Sequence, residues 1–271
     1  MRASRGLVVV ALLGALVVAP AAQASAATHH SAKKGVATWQ MPGLKAALKD
    51  VGASWYYNWS PSNAQMKGPK GSTFVPMIWG AASVTKANLA AAKKSKIILG
   101  FNEPDMAGQA NMTVTKALAL WPKLQATGRK LGSPAVAWGA DRNGEWLDRF
   151  MKGAKKKHLR VDFITLHWYG GDFSAASVKQ LKSYIVAVHK KYKKPIWVTE
   201  FSLMRFGAST TYPSSKQLVT FLKGATTMME KLPYVQRYAY FGLPADGYPN
   251  GLYRDGDSPT AAGRAYRAVG K

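Results

Sequence analysis

Two glutamates carry the strongest chemical signal in this chain. Glu103 and Glu200 each close an apolar, β-rich run, whereas the only other glutamates, Glu145 and Glu230, stand in helix-like text. Hydrolysis of a glycosidic bond needs two carboxyl groups. One, protonated, releases the leaving oxygen, and the other, ionised, attacks the anomeric carbon or activates water. The pair therefore predicts glycosidase chemistry.

Either glutamate taken alone has an ordinary structural explanation. Glu103 could cap a helix or form a salt bridge at a rim, and Glu200 could form a buried ion pair with one of the many basic residues. Their appearance at the ends of two different strand-like runs favours a shared site. The 5 histidines include no i, i+4 pair and Cys is 0, so we expect no metal and no other cofactor.

The elements that must position these glutamates alternate regularly along the chain. Short β-rich runs are separated by segments with helical apolar spacing and outward lysines, and this order predicts an α/β protein, a single-domain (β/α)8 TIM barrel. The weakest crossover is the second, where a Pro- and Gly-rich segment predicts a loop. The predicted strands are 35–39, 54–59, 74–79, 97–102, 135–138, 163–169, 195–201 and 237–241, and the predicted helices are 44–51, 86–94, 115–131, 146–157, 176–192, 215–232 and 258–269.

The barrel prediction places both glutamates at one end of the molecule. Active sites of such barrels lie at the carboxyl ends of the strands. Glu103 would end the fourth strand and Glu200 the seventh, so their side chains would converge across the axis. Pro104 disfavours the helical region for the residue before it. We therefore expect Glu103 to be extended and its strand to continue up to the carboxylate.

The amino terminus has the order of a secretory signal. Arg2 and Arg5 precede the apolar run 7–18, which is followed by Pro20 and the small residues 24–26. This run is too short for a membrane anchor and is followed by Pro20 and a cleavage-like site, so we predict a cleaved signal peptide at 1–26 and a catalytic domain at 27–271. The mature chain would be secreted and extracellular, with no membrane span and no disulfides.

The charge balance predicts an anionic environment. Lys plus Arg number 38 against 13 Asp plus Glu, giving a net charge of +25. Because these cations are spread over helix-like text without interleaved aromatics, they favour a generally basic shell over a nucleic-acid groove. We expect electrostatic association with an anionic cell wall or matrix, no specific nucleic-acid partner, and a monomer.

Several motifs extend the argument to a known family. The segments Gly-Phe-Asn-Glu-Pro-Asp at 100–105, Leu-His-Trp-Tyr at 166–169 and Val-Thr-Glu-Phe at 198–201 resemble the strand-end motifs of glycoside hydrolase family 128, a member of clan A. The stretches at 251–256 and 259–266 also resemble the final loop and helix of that family. The similarity therefore covers the whole mature chain.

The resemblance implies a function and roles for particular residues. It implies a retaining β-1,3-glucanase in which Glu103 is the acid/base and Glu200 the nucleophile. It also implies that Asn102 contacts the sugar 2-hydroxyl and that Tyr169 orients the nucleophile. The substrate would be a β-glucan polysaccharide or oligosaccharide.

Other candidate substrate contacts follow from position alone. Period-two alternation puts His167 on the face of Tyr169, one layer lower, where it would support the site by hydrogen bonding or serve as a satisfied core histidine. Asn58 and Arg205 are plausible sugar contacts. Indoles near strand ends could stack on a glucose ring or pack against the rim; these are Trp39, Trp59, Trp79, Trp138 and Trp168.

Competing functions remain open at this point. Endo action is favoured over exo, but strand-end carboxylates do not encode a linkage, so the substrate could be another β-linked glycan. A non-catalytic secreted barrel could also use the basic surface and aromatic rim to hold glycans or polyanions. Release of product from any glycan would rule out that last alternative as the whole account.

Overall fold

Parallel strands and helices alternate along residues 31–270, the part of the chain that the computed structural model describes. The predicted signal segment at 1–26 lies outside these residues. The strands are β1 Lys34–Ala37, β2 Trp55–Tyr57, β3 Thr73–Phe74, β4 Ile97–Ile98, β5 Lys130–Leu131, β6 Ile164–Gly170, β7 Ile196–Leu203 and β8 Val235–Phe241. The helices are α1 Leu44–Asp50, α2 Lys86–Ala92, α3 Val114–Gln125, α4 Trp146–Lys156, α5 Ala176–Tyr192, α6 Ser215–Glu230 and α7 Ala261–Ala268, with a 3₁₀ turn at Ala81–Ser83.

All of the strand pairings are parallel, which confirms the predicted α/β class. Six strands form one sheet in the order β3-β2-β1-β8-β7-β6, and β4 pairs with β5 in a second. The parallel bridges Met77–Leu99 and Gly132–Phe163 connect the two sheets. The first and last strands are hydrogen-bonded neighbours, so the carboxyl ends of the strands gather at one end of the molecule.

The strands bury both of their faces. Alternate residues such as Trp55, Tyr57 and Trp197 form an apolar cluster made only of strand and strand-end residues. Their neighbours, such as Tyr56 and Val198, belong to a second cluster shared with the buried sides of the helices. Burial on both faces is typical of parallel sheets covered by crossover helices. Within residues 31–270, no helix has both the length and the apolar character needed to cross a membrane.

The fifth strand differs from its prediction. The helix expected over 115–131 ends at Gln125, and Lys130–Leu131 forms β5 instead. Gly128, with φ of 72°, adopts the left-handed conformation that terminates helices. The expected strand at 135–138 is only an isolated bridge from Ala135 to Asn102. The apolar residues there cross the carboxyl end of the strands, beside the site.

Two other strands are shorter than predicted, and the second crossover is a loop as predicted. β3 and β4 each have 2 residues, and the chain beyond them makes isolated bridges rather than a ladder. The loop between β2 and β3 is pinned by Tyr56, whose hydroxyl accepts from the Gly68 amide (2.6 Å) and donates to the Met66 carbonyl (2.8 Å). These bonds hold the loop where a crossover helix would otherwise pack.

Candidate active site

A cleft of about 690 Å³ opens at the carboxyl ends of the strands. Glu103 and Glu200 lie on its floor and are 8% and 4% exposed. The cleft is therefore the place where the two rare glutamates meet. Its walls are largely aromatic and apolar, and the lining residues are Trp59, Trp79, Asn102, Met106, Gln109, Ala137, Trp138, Tyr169, Met204, Phe206 and Phe241 besides the two glutamates.

The backbone at Glu103 contradicts the expectation of an extended residue. Its φ is 41°, in the left-handed region. Pro104 excludes the right-handed helical conformation from Glu103 but does not enforce extension. The Glu103 amide donates to the Ala135 carbonyl (2.7 Å), and the Glu103 carbonyl accepts from the Met106 amide (3.1 Å). The chain therefore turns sharply at Glu103, in a conformation that costs a non-glycine residue about 1–3 kcal/mol.

Glu200 lies inside β7 rather than at its end, because the strand continues to Leu203. The register between β6 and β7 shifts here: Leu166 pairs with Val198, but His167 pairs with Glu200. Thr199 is thus an extra residue on β7. Bulges of this kind redirect side chains beside active sites, and this one accompanies the turn of Glu200 towards the cleft.

The Glu200 carboxylate accepts hydrogen bonds from three neutral donors. Tyr57 donates to Oε1 at 2.9 Å, Trp59 Nε1 donates to the same atom at 2.8 Å, and Tyr169 donates to Oε2. Burial, and next to it the charge of Glu200, raises the pKa of both tyrosines well above the ordinary value. Both phenols keep their protons and stabilise an ionised Glu200.

His167 connects the two glutamates from beneath. Its Nδ1 lies 2.8 Å from Glu103 Oε1, and its Nε2 lies 3.4 Å from Glu200 Oε1 without hydrogen-bond alignment. Burial lowers the pKa of His167, but the charge of Glu200 and the hydrogen bond and charge of Glu103 outweigh it, so the pKa is raised. The imidazole can therefore carry a proton between two carboxylates.

The same trio has the composition of a possible metal site. Within residues 31–270, Glu103, His167 and Glu200 each offer one ligand atom, and these atoms lie within 4.8 Å of one another. The atoms are already used in other bonds: Glu103 Oε1 contacts the imidazole, and Glu200 Oε1 accepts from Tyr57 and Trp59. The arrangement is suited to proton transfer between carboxyl groups.

The predicted aromatic contacts divide into two groups. Trp59, Trp79 and Trp138 line the cleft, and Trp138 is 54% exposed. Trp39 stands behind Trp59, with ring centroids 6.4 Å apart, and does not line it. Trp168 points away from the cleft and stacks on Phe221 of α6 at 5.7 Å. The physical reason is strand alternation, because residues on either side of Trp168 face the site.

The predicted polar contacts divide similarly. Asn102 lines the cleft, donates to Gln109 Oε1 at 3.2 Å and keeps a buried, unpartnered Oδ1. Asn58 instead bonds within its own loop to the Ser62 carbonyl, and the Arg205 guanidinium binds the Gly171 carbonyl. The structure does not bring Asn58 or Arg205 to the cleft, because local backbone acceptors hold both side chains.

Several residues of the site are not predicted by the sequence patterns. Tyr57 could have been found by alternation, because it lies two residues before Trp59 and shares its face. Phe206, which is 64% exposed, and Met106, which is 41% exposed, stand in loops without any periodic signal. Phe241 ends β8 and lines the cleft, and the sequence pattern marked it only as the last residue of a strand.

The chain is similar to known proteins in sequence and in fold. Residues 35–266 match the family described as glycosyl hydrolase catalytic core. A structure of a glycoside hydrolase family 128 (subgroup I) endo-β-1,3-glucanase from Amycolatopsis mediterranei, in complex with laminaritriose, is 52% identical. It covers 87% of this chain and 98% of that one, with a TM-score of 0.85. A structure of a subgroup III curdlan-specific exo-β-1,3-glucanase from Blastomyces gilchristii, in complex with glucose, is 31% identical. The match covers 89% of this chain and 99% of that one, with a TM-score of 0.69.

A curated relative is longer. Alkali-sensitive linkage protein 1 of Schizosaccharomyces pombe is 30% identical over 222 residues, which make up 78% of this chain but 39% of that protein. The chain thus spans well under half the length of that relative. The match over 35–266 and the 52% identity across nearly the whole of a solved structure decide the assignment. The chain belongs to the glycosyl hydrolase catalytic core family and to glycoside hydrolase family 128.

Proposed function

We propose that this protein is an endo-β-1,3-glucanase that acts by double displacement with retention of configuration. One observation carries the proposal: carboxylate oxygens of Glu103 and Glu200 lie within 4.8 Å of each other on the floor of an aromatic cleft. Retaining enzymes hold their carboxyl groups about 5–5.5 Å apart, whereas inverting enzymes need about 6.5–9.5 Å to admit a water. The short separation supports retention.

The hydrogen bonds support a division of roles. Glu200, stabilised as an anion by Tyr57, Trp59 and Tyr169, attacks the anomeric carbon while Glu103 gives its proton to the departing glycosidic oxygen. Glu103 then takes a proton from water, whose oxygen attacks the same carbon and releases Glu200. His167, bonded to Glu103, holds the acid/base in place through both steps.

The sugar would be recognised by the cleft walls. Asn102 has a buried acceptor without a partner, which suits a sugar hydroxyl. Trp59, Trp79 and Trp138 offer ring faces for the apolar sides of glucose units. The β-1,3 linkage and the endo mode are supported by the 52% identical subgroup I glucanase. The product pattern from laminarin and curdlan tests both, since exo action releases one small product from the start.

The fold and location belong to the same proposal. We infer one closed (β/α)8 barrel over 27–271, supported by the β1–β8 pairing and by the bridges that connect the two sheets. We also infer that the segment 1–26 is a signal peptide removed on export, so that a monomeric enzyme acts outside the cell. The net charge of +25 would bring it to an anionic wall.

Two glutamine variants test the chemistry. Glu103→Gln and Glu200→Gln should each reduce laminarin hydrolysis by several orders of magnitude, while Glu145→Gln, at the start of α4, should leave it unchanged. On an aryl β-laminarioside whose leaving group needs no protonation, Glu103→Gln should still release the phenol and Glu200→Gln should not. Full activity of either variant on laminarin would contradict the assignment, and hydrolysis of cellulose, mannan or xylan in preference to laminarin would contradict the linkage.

A further inference from the structure

The end of the molecule opposite the cleft is strongly cationic. Because the strands are parallel and the helices return between them, the turns that follow helices gather at the amino ends of the strands. We call this surface the amino-terminal face. It is formed chiefly by the turns at 93–96, 126–129, 157–163, 193–195 and 231–234, with the helix ends that lead into them.

Lysines cluster on adjacent turns of this face. Lys93, Lys94 and Lys96 are exposed after α2, and Lys130 is exposed after α3. No ion pair of 4 Å or less joins any of these lysines to an acidic group in residues 31–270. Their charges are therefore directed into solvent.

The next two turns continue the cluster. Residues 155–157 at the end of α4 are three consecutive exposed lysines, and Lys190 and Lys193 are exposed at the end of α5. Cations at helix carboxyl ends are favoured by the helix dipole. That local effect accounts for one or two lysines per helix, but not for a row extending across four neighbouring turns.

Acidic groups near these turns are engaged with residues outside the row. Asp148 pairs with Lys152 and with Lys191, which leaves Lys190 and Lys193 without an ion pair in residues 31–270. Asp50 pairs with Arg267 at 2.9 Å, Asp162 pairs with Arg160, and Glu230 accepts from the Tyr238 hydroxyl. Asp246 and Asp257 are exposed in the loop between β8 and α7, away from these turns. The exposed lysines of the row therefore keep an excess of positive charge.

A half-buried cation, Arg237, shares a cavity with Lys94 and Lys96 of this face. The Arg237 guanidinium is 4.5 Å from the Trp197 ring and 5.5 Å from the Trp55 ring, and one of its terminal nitrogens is buried without a hydrogen-bond partner. It borders a cavity of about 640 Å³ whose walls include Lys94 and Lys96. An anionic group entering this cavity would find an unfilled donor with two ammonium groups beside it.

We propose that the amino-terminal face binds a linear phosphate polymer that carries no nucleobases. Lysine ammonium groups bind phosphate as point charges, and a linear polymer can contact the lysines of several turns at once. Bases would need aromatic platforms, but the exposed large apolar side chains within residues 31–270 are Met106, Trp138, Val186 and Phe206, none of which lies on this face. The proposal concerns a surface separate from the cleft, so binding and hydrolysis can fail independently.

Two variants that lose the same charge test the location. The face variant is K94Q/K96Q/K155Q/K156Q/K193Q, and the control is K67Q/K70Q/K86Q/K116Q/K216Q, which removes exposed lysines from the β2–β3 loop and from the starts of α2, α3 and α6. The probe is long-chain inorganic polyphosphate, with affinity measured over a range of salt concentrations. Hydrolysis of laminarin by each variant reports folding.

The expected results distinguish the loss of these particular lysines from the loss of positive charge in general. Salt dependence should be steep for the wild type, because each phosphate contact contributes about 0.7 to the slope of log affinity against log salt. The face variant should lose at least about tenfold in affinity and about 3 in slope, and Arg237→Met should also weaken binding. The control should stay within about threefold. Equal losses in both variants, or equally tight binding of polyglutamate or single-stranded DNA by the wild type, would overturn the proposal.

Discussion

At the residue scale, the Glu200 carboxylate accepts hydrogen bonds from three neutral donors, and the His167 imidazole lies beneath it without a hydrogen bond to it. Tyr57, Trp59 and Tyr169 together occupy both of its oxygens. Donors without charge stabilise the anion while leaving its negative charge available to the positive sugar ring that forms during cleavage. An arginine in the same place would compete with that ring for the carboxylate.

Removing the donor to Oε2 should lower the rate rather than the affinity. Tyr169→Phe deletes one hydrogen bond to a charged group, so we expect kcat on laminarin to fall about 10- to 100-fold with KM little changed. Tyr212→Phe, a tyrosine outside the cleft lining, is the matched control. A Tyr169→Phe enzyme with wild-type kcat would show that the contact has no part in the reaction.

His167 should make stability depend on pH in a defined direction. Its pKa is raised in the folded protein above the ordinary value of 6.5, so folding favours the protonated form. The stability it contributes is full below about pH 6.5 and is lost as pH rises through the raised folded value. The difference in unfolding free energy between wild type and His167→Gln should therefore shrink with rising pH. Denaturant titrations across this range measure it, and a growing difference would contradict the assigned charge.

The glutamates themselves could be predicted from sequence, but the backbone that presents them could not. Glu103 and Glu200 follow apolar runs, and that local pattern was enough to select them. The left-handed turn at Glu103 depends on the carbonyl of Ala135, more than thirty residues away, and the donor Tyr57 comes from another strand. Contacts of this range leave no periodic trace in the sequence.

At the element scale, apolar spacing predicted the long elements well and the short ones poorly. Helix α5 spans the predicted 176–192, and β6 and β7 differ from their predictions by one or two residues. The predicted fourth strand begins where β4 begins but is too long, and the fifth was misplaced. Elements this short are set by the neighbours with which they pair, so their own residues carry little information.

The last helix provides a test of close packing. Thr260 caps α7 by accepting from the Gly263 amide at 3.1 Å, and a Cβ added at Gly263 would lie 2.1 Å from the Leu252 carbonyl oxygen. We expect Gly263→Ala to destabilise the protein by about 1–3 kcal/mol, because backbone must move to admit the methyl group. Gly108→Ala, where an added Cβ meets nothing within 4 Å, is the control. Chemical denaturation of both variants checks this prediction. Equal unfolding midpoints for the two variants would show that the backbone around α7 can move at little cost in stability.

At the scale of the whole molecule, exposed lysines stand at both ends, and only some of them form the row opposite the cleft. The cleft walls are mainly aromatic and apolar, and the exposed lysine row lies on the amino-terminal face. A neutral glucan gains little from long-range attraction to a positive field. The net charge of +25 therefore serves something other than capture of the substrate.

Ionic strength should affect the two ends differently. We expect kcat/KM for soluble laminarioligosaccharides to change less than about twofold between about 0.05 and 0.5 M salt, because the substrate is uncharged. Initial-rate measurements over that range check this. A steep decline with salt would mean that the basic surface takes part in binding the glucan.

The position of the lysine row also has a consequence for the way the molecule faces when it is adsorbed through that row. Copies held on an anionic bead through the amino-terminal face would all turn their clefts outward, like a layer of receptors captured by a common tag. Such a layer should digest soluble oligosaccharides at the rate of the free enzyme. In a layer coupled through random amines, the copies whose clefts face the support would be inactive, so the rate per copy would be lower. The lysine row would then act as a built-in handle for oriented immobilisation.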